Sequence, residues 1–562
     1  MSDYYDLGNH SRAVSTESPQ AQIWFDRGLV WCYGFNHEEA VRCFEKVAAS
    51  DPGCAMAHWG IAYAAGPNYN LTWEDLGIKT SQKVAARCYG AIQEALVRLP
   101  GATEVEQALV KALAHRYPAA HAADLDELSA WNDAYAAAMR KVQRAYVNDL
   151  DVTCLCAEAL ITRTPWQLWD VTTGLPADGA DTLEAVALLE QAFEQIERSE
   201  RDPHPGLLHM YIHSMEMSPH PERALPAANK LRYLVPEAGH LLHMPSHIDI
   251  LCGNYQDAVE ANSRAIVADN KYLARQGAQN IYTAYRCHDF HFKIYAAMFL
   301  GRFEAALEAA NQMAVSISEE VLRIEAPNMA DLLESLVSMK MHVLIRFGRW
   351  QDIINEPLPG DSELYCHTTA MIHYAKGVAH AASGDVEAAE LAKAEFEAAR
   401  LSVPESRNLF NNSCEDVLAI AAQMLDGELA YRRGDHERAF AHLRKSVELD
   451  DNLAYAEPWG WMQPTRHALG ALLLEQDRIG EAEAVYRADL GLDDTLSRPS
   501  QHPDNVWSLH GYVECLRRLD KEAETLTYQA RLDRALEQTD VPIHASCYCR
   551  LEEHGCCDSE DC

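Results

Sequence analysis

Basic side chains are scarce in this chain, with 48 Lys and Arg against 84 Asp and Glu, a formal charge of −36 with histidine neutral. Such a chain cannot track a phosphate backbone over most of its length, because that binding rests on Lys and Arg neutralising phosphates. The same shortage disfavours an anionic membrane face. Long apolar runs are missing too, since none approaches the ~18 residues of a membrane span. The opening MSDYYDLGNHSRAVSTESPQ lacks the basic and then apolar pattern of a secretory signal, and the closing DSEDC is not a prenylation box. The expectation is a cytoplasmic protein with no nucleic-acid and no membrane partner. Without an export signal, the 16 scattered cysteines read as reduced thiols rather than a disulfide framework. Catalytic signatures are absent as well: no Gly-x-Ser-x-Gly elbow, no phosphate loop and no dinucleotide fingerprint. His37-Glu38 and His436-Glu437 lack a second histidine at the zincin spacing. Hydride and phosphoryl transfer are therefore poor bets.

What the chain does have is internal repetition. Its 562 residues would suggest about four domains at ~150 residues each. The segment QAQIWFDRGLVWCYGFNHEEAVRCFEKVAASDP instead sets Gly28, Trp31, Ala40, Phe44 and Pro52 at the spacings of a 34-residue helix pair, and resembles a tetratricopeptide (TPR) unit. Gly28 and Ala40 are expected where two helices press together, Phe44 in their seam, and Pro52 ends the second helix. The turn between paired helices recurs at GNYQDAVEAN (253–262), GRFEAALEAAN (301–311), GRWQDI (348–353), GDVEAAE (384–390), GDHERAFAHL (434–443) and GEAEAVY (480–486). Ala, Leu and Glu with a period near 3.6 agree with helices. The expected fold is all-α, a right-handed TPR superhelix (α-solenoid) of about nine to ten helix pairs. Residues 1–20 form an N-terminal extension, 21–535 the solenoid with a His-rich centre at 204–295, and 536–562 a Cys-rich tail. The stretch Thr164–Thr182 reads as a long structureless connection between helices, a kind that often carries function.

Histidine is in excess, at 25 residues, seven of them between 204 and 247. With the second-helix Ala as position 20 of the TPR convention, Ala224, Ala258 and Ala306 are in register. His209, His243 and His291 then share position 5, while His213 and His247 share position 9 with Tyr295. His240 and His288 share position 2, and Glu216 takes position 12. The TPR resemblance implies that positions 2, 5, 9 and 12 of the first helix face the concave groove. Residues four apart on a helix lie one above the other, and packed helix axes are ~8–10 Å apart. Imidazoles on three consecutive helices can therefore converge. Neutral imidazole suits Cu, Fe, Zn and Ni, whereas Mg and Ca want oxygen donors. Six histidines on helices are also the ligand count of a coupled dicopper site, and in that one respect the set resembles the tyrosinase class. The candidate metal ligands are His209, His213, His240, His243, His247, His288 and His291. Glu216 and Tyr295 are candidate catalytic groups. Glu216 and Asp289 could alternatively ligate the metal or orient an imidazole.

The motifs HPGLLHMYIHSMEMSPHPERALPAANKL, GHLLHMPSHIDILCGNY and CHDFHF resemble a group of His-rich microbial TPR proteins, as do 35–70 and 457–475. That resemblance implies a shared groove site, with Trp59, Tyr63, Glu158 and His467 as further members. The expected function is a metal-dependent enzyme on a small molecule. A carboxylate-poor, His-rich set favours a Cu- or Fe-dependent oxidoreductase, with Zn and Mn open, a dinuclear centre allowed and a phenolic or other aromatic substrate. The alternatives are a Zn-dependent hydrolase with an activated water, and a non-catalytic TPR scaffold holding a protein or peptide in its groove. Cys547, Cys549, Cys556, Cys557 and Cys562, with His544 and His554, make the tail a soft-ligand segment that could load metal into the groove.

Overall fold

The computed structural model describes residues 4–325 and 328–550. It is all-α, built from antiparallel helix pairs, as the repeats predict. The chain divides into two compact units. The first comprises Met1–Cys252, Glu260–Asp289 and Ser497–Pro499; the second comprises Gly253–Val259, Phe290–Leu496 and Ser500–Cys562.

In the first unit the helices Pro19–Tyr33 and His37–Ser50 form the opening pair. Ser18 caps the first through the Ala21 amide, and Pro19 sits where a missing N–H costs nothing. Phe44 fills the seam as expected: a Cβ on Gly28 would meet its ring at 2.8 Å. Further pairs follow, among them Ala55–Ala65 with Trp73–Val97 and Leu150–Ile161 with Thr182–Arg198. The connection Thr164–Thr182 is not structureless. It carries a two-stranded antiparallel ribbon in which Trp169 faces Pro176 and Asp170 faces Leu175. Gly174, at φ 68°, makes its turn, and Asp170 accepts the Thr172 amide at 2.9 Å.

The second unit continues the pattern with Cys366–Ala382 against Val386–Arg400, Cys414–Arg432 against His436–Asp451, and Val506–Arg518 against Glu522–Leu536. Its tail is held down through residue 550: Arg346 donates to the Ser546 carbonyl, Arg432 to the Cys549 carbonyl, and Arg550 pairs with Glu514. Cys547 and Cys549 are joined as a disulfide, which departs from the expectation of reduced thiols throughout, whereas most other described cysteines are free and buried. Cys556, Cys557, Cys562 and His554 lie outside the described residues. Among the described residues no helix is long and apolar enough to cross a membrane.

Candidate metal centre

Four short helical segments of the first unit bring six imidazoles together. Pro205–Glu216 supplies His209 and His213, and Gly239–His243 supplies His240 and His243. Pro245–Leu251 supplies His247, and the start of Tyr282–Leu300 supplies His288. Proline explains the break between the middle two: Pro245 cannot donate into a helix continued from residue 243, so it opens a new one at its first turn. The six side chains are 0–9% exposed.

They sort into two triads. His209, His213 and His240 each offer a ring nitrogen within 4.8 Å of the others, and so do His243, His247 and His288. Ring centroids are 4.7 Å apart for His209–His213, His243–His247 and His243–His288, and 4.9 Å for His209–His240. Between the triads, His213–His247 and His240–His243 are each 5.7 Å apart.

The hydrogen bonds fix the tautomers of four rings. His209 Nδ1 faces the Tyr33 carbonyl at 2.5 Å, and a carbonyl only accepts, so Nδ1 carries the proton. His213 Nδ1 and His247 Nδ1 donate to the two oxygens of Glu216 at 2.9 and 2.7 Å. His243 Nδ1 donates to Asn262 Oδ1 at 2.7 Å, with Asp289 Oδ1 at 3.3 Å. Each ring then turns an Nε2 lone pair inward. His243 Nε2 and His247 Nε2 approach to 2.7 Å, and His209 Nε2 and His240 Nε2 to 3.2 Å. His213 Nε2 and His240 Nδ1 are buried with no hydrogen-bond partner among the described residues.

Burial, then neighbouring imidazoles, hold His213, His240 and His243 well below the ordinary imidazole range. Burial also takes His209 down to about 3. These rings are neutral, the form that binds a metal. Burial and the adjacent Asp269 push Asp289 well up, while burial takes Asp269 to about 6. Aromatic rings close over the first triad. Phe35 stands 4.5 Å from His209 and stacks on His213 and His240 at 5.7 and 5.5 Å, with Tyr69 at 4.7 Å from His213 and Tyr285 at 4.8 Å from His240.

The remaining expected site residues lie elsewhere. His291 belongs to the second unit, stacked on Phe410, and contributes to neither triad; His240 takes the place the register gave it. Tyr295 also belongs to the second unit, where its hydroxyl meets His502 Nε2 at 3.0 Å. His502 in turn contacts Asp489 at 2.8 Å, as does His467 Nε2 at 3.0 Å, so His467 is part of a buried carboxylate hub. Trp59 and Tyr63 stack on one another at 5.2 Å, and Glu158 accepts from Thr162 at 2.9 Å; none of the three joins a triad. Sequence reasoning missed the Tyr33 carbonyl, Asn262 and Phe35. Phe35 was the one open to detection, as the aromatic residue in a turn where later repeats carry glycine.

Fold and site together define a helical-repeat protein with two adjoining buried imidazole triads. No family model matches the chain, and neither does any curated protein. Among solved structures it is similar to Ypp1, at 10% identity over 94% of this chain and 82% of that one with a TM-score of 0.42. It is also similar to an IFIT1 monomeric mutant with m7Gppp-AAAA (12% identity, 85% and 90% covered, TM-score 0.33). A third is Rap protein complexed with Competence and Sporulation Factor (11%, 69% and 99%, 0.28). Likeness at this level carries no argument about the site.

Proposed function

We propose that the two triads hold a pair of transition-metal ions, Cu or Fe ahead of Zn or Mn, and that the protein is an oxidoreductase acting on a small phenolic or other aromatic molecule. The observation that carries the reading is the 2.7 Å approach of His243 Nε2 to His247 Nε2 while both Nδ1 atoms face oxygen acceptors. Two lone pairs at that distance repel, and an ion ligated by both rings, which would hold the two nitrogens slightly further apart, relieves that repulsion. Burial and the neighbouring His247 hold His243 well below the ordinary imidazole range, which disfavours an imidazolium there. Three imidazoles per ion favour Cu or Fe over the hard oxygen-seeking ions. A copper or iron pair would supply one-electron chemistry and O₂ binding.

The protein residues have separable tasks. Glu216 has both oxygens occupied by imidazole N–H groups, so it acts as a positioning residue for His213 and His247 rather than a general base. Phe35, Tyr69 and Tyr285 pack against the imidazoles and keep water from the first triad. Tyr295, engaged with His502, has no part in this proposal. Burial of the rings disfavours the scaffold reading, because a peptide lying in a groove cannot touch side chains 0–9% exposed.

The test is metal analysis of full-length protein expressed with Cu, Fe, Mn or Zn, beside His213→Ala and His247→Ala. The expected result is about two ions per chain in the parent beyond any that the variants retain, with oxygen uptake on adding phenols. Variants that hold as much metal as the parent would overturn the site. Metal binding without oxygen uptake would overturn the oxidase and leave the hydrolase.

A further inference from the structure

A different group of the first unit points to a second ligand site. His10, Asp151 and His204 come from the N-terminal segment, the helix Leu150–Ile161 and the cap of the helix Pro205–Glu216. His10 Nε2 and His204 Nε2 each lie 3.0 Å from Asp151 Oδ1, and the Tyr33 hydroxyl lies 2.6 Å from the same oxygen. Arg12 occupies Oδ2 at 3.1 Å and pairs with Asp149 at 2.7 and 3.0 Å. The two imidazole centroids are only 4.4 Å apart.

One carboxylate oxygen has two lone pairs, and here three groups converge on it. Tyr33 can only donate to an ionised Asp151, which leaves one lone pair for two imidazoles. Two imidazoles therefore crowd the acceptor capacity that Tyr33 leaves on Oδ1, and their ligand atoms lie close enough together to share a cation with it. Charge agrees: Arg12, Asp149 and Asp151 sum to −1, which suits a cation and not an anion. Access agrees as well, because His10, Asp151 and His204 all line a cavity of about 1030 Å³.

We infer that His10, Asp151 and His204 form a mononuclear site for a divalent transition metal, separate from the six-imidazole centre and reachable from this cavity. Two imidazoles and one carboxylate match the donor sets of zinc and non-haem iron centres that keep open positions for water or a substrate oxygen. The site carries a structural signature of its own. His204 Nδ1 now accepts the Leu207 amide at 3.2 Å, which requires the proton on Nε2. Metal on Nε2 moves that proton to Nδ1, so occupancy breaks the cap bond and exposes the Leu207 amide.

The test is a Co²⁺ titration of the metal-free full chain, read by visible d–d absorption. His213→Ala/His247→Ala removes the other centre, and His10→Gln keeps a donor for Asp151 while deleting the imidazole. The double variant is expected to retain one tight Co²⁺ per chain, with faster hydrogen exchange at Leu207 on loading. Adding His10→Gln should weaken that binding by at least ~10-fold, with the metal-free melting temperature unchanged. If the double variant does not fold, His10→Gln alone should lower the parent's content by one equivalent. Co²⁺ binding that His10→Gln leaves unaltered, or no Co²⁺ in a folded double variant, would overturn this site without touching the six-imidazole proposal. Loss of all metal on His213→Ala/His247→Ala in a folded protein would support that proposal and refute this site.

Discussion

Phe35 shows how one residue sets local strain against a site. The turn after a repeat's first helix needs a left-handed residue, which Gly253, Gly301, Gly348, Gly384 and Gly434 supply at φ 62–84°. In the first repeat that position is Phe35, at φ 53°, with the Asn36 amide closing the turn onto the Trp31 carbonyl at 3.0 Å. A side chain there costs about 1–2 kcal/mol relative to glycine, and what it returns is a ring against three imidazoles. Removing the ring costs ~3–5 kcal/mol of burial either way. Phe35→Gly is therefore expected to be more stable than Phe35→Ala by about 1 kcal/mol in urea unfolding, the reverse of the order inside a helix. Equal stability of the two would show that the turn is unstrained. Glu216 is the other residue with a separable role. Gln in its place can accept only one of the two imidazole protons, so Glu216→Gln should weaken metal binding about 10- to 100-fold in competition titration. An unchanged affinity would remove it from the site.

At the scale of helices, what limits the site is how closely backbones approach. Gly239 opens the segment that carries His240 and His243, and a Cβ on it would overlap the Asp269 carboxylate. Gly239→Ala should therefore cost about 1–3 kcal/mol in urea unfolding and weaken metal binding by displacing both rings. A variant as stable as the parent would mean Asp269 can swing away freely. Much at this scale was legible in the sequence. Gly28 against Phe44 follows from the repeat spacing, and the i, i+4 pairs His209/His213 and His243/His247 fix which face carries imidazole. Register gives direction around a helix but not which cavity a residue reaches. On the helix Tyr282–Leu300 it therefore selected His288 and His291 alike, although three residues advance ~4.5 Å along the axis and only His288 joins a triad. His10 was illegible for a simpler reason, since it lies in the extension, where no repeat gives it an address. The ribbon at 169–176 was missed because two residues per strand leave no alternation to read.

Across the whole molecule, the buried histidines make stability depend on pH before any metal is added. His209, His291, His342 and His367 are brought down to about 3, and His37 and His467 to about 4, in each case chiefly by burial. Unfolding returns each to ~6.5. Their neutral, folded form is therefore not penalised above pH 7, and its stability falls as pH drops through 6.5, where the unfolded chain takes up protons that the folded chain refuses. Below its unfolded pKa each such residue contributes about 1.4 kcal/mol per pH unit. Asp269 and Asp450, both raised to about 6, act in the opposite sense, because they bind protons in the folded state first. Asp289, pushed well up, acts in the same sense as these two, but lowered imidazoles outnumber the raised carboxylates, since His213, His240 and His243 are also held low. Urea unfolding of metal-free protein should show the midpoint falling between pH 7.5 and 6, with net proton uptake on unfolding. A metal bound only by the folded centre adds to stability as its ligand-linked free energy, so the metal-loaded protein should show a steeper loss over the same interval as protons and metal compete for the imidazoles. A midpoint that stays flat from pH 7.5 to 6 without metal would mean that the histidines are protonated within the fold. The neutral-ligand basis of the proposed centre would then fail with it.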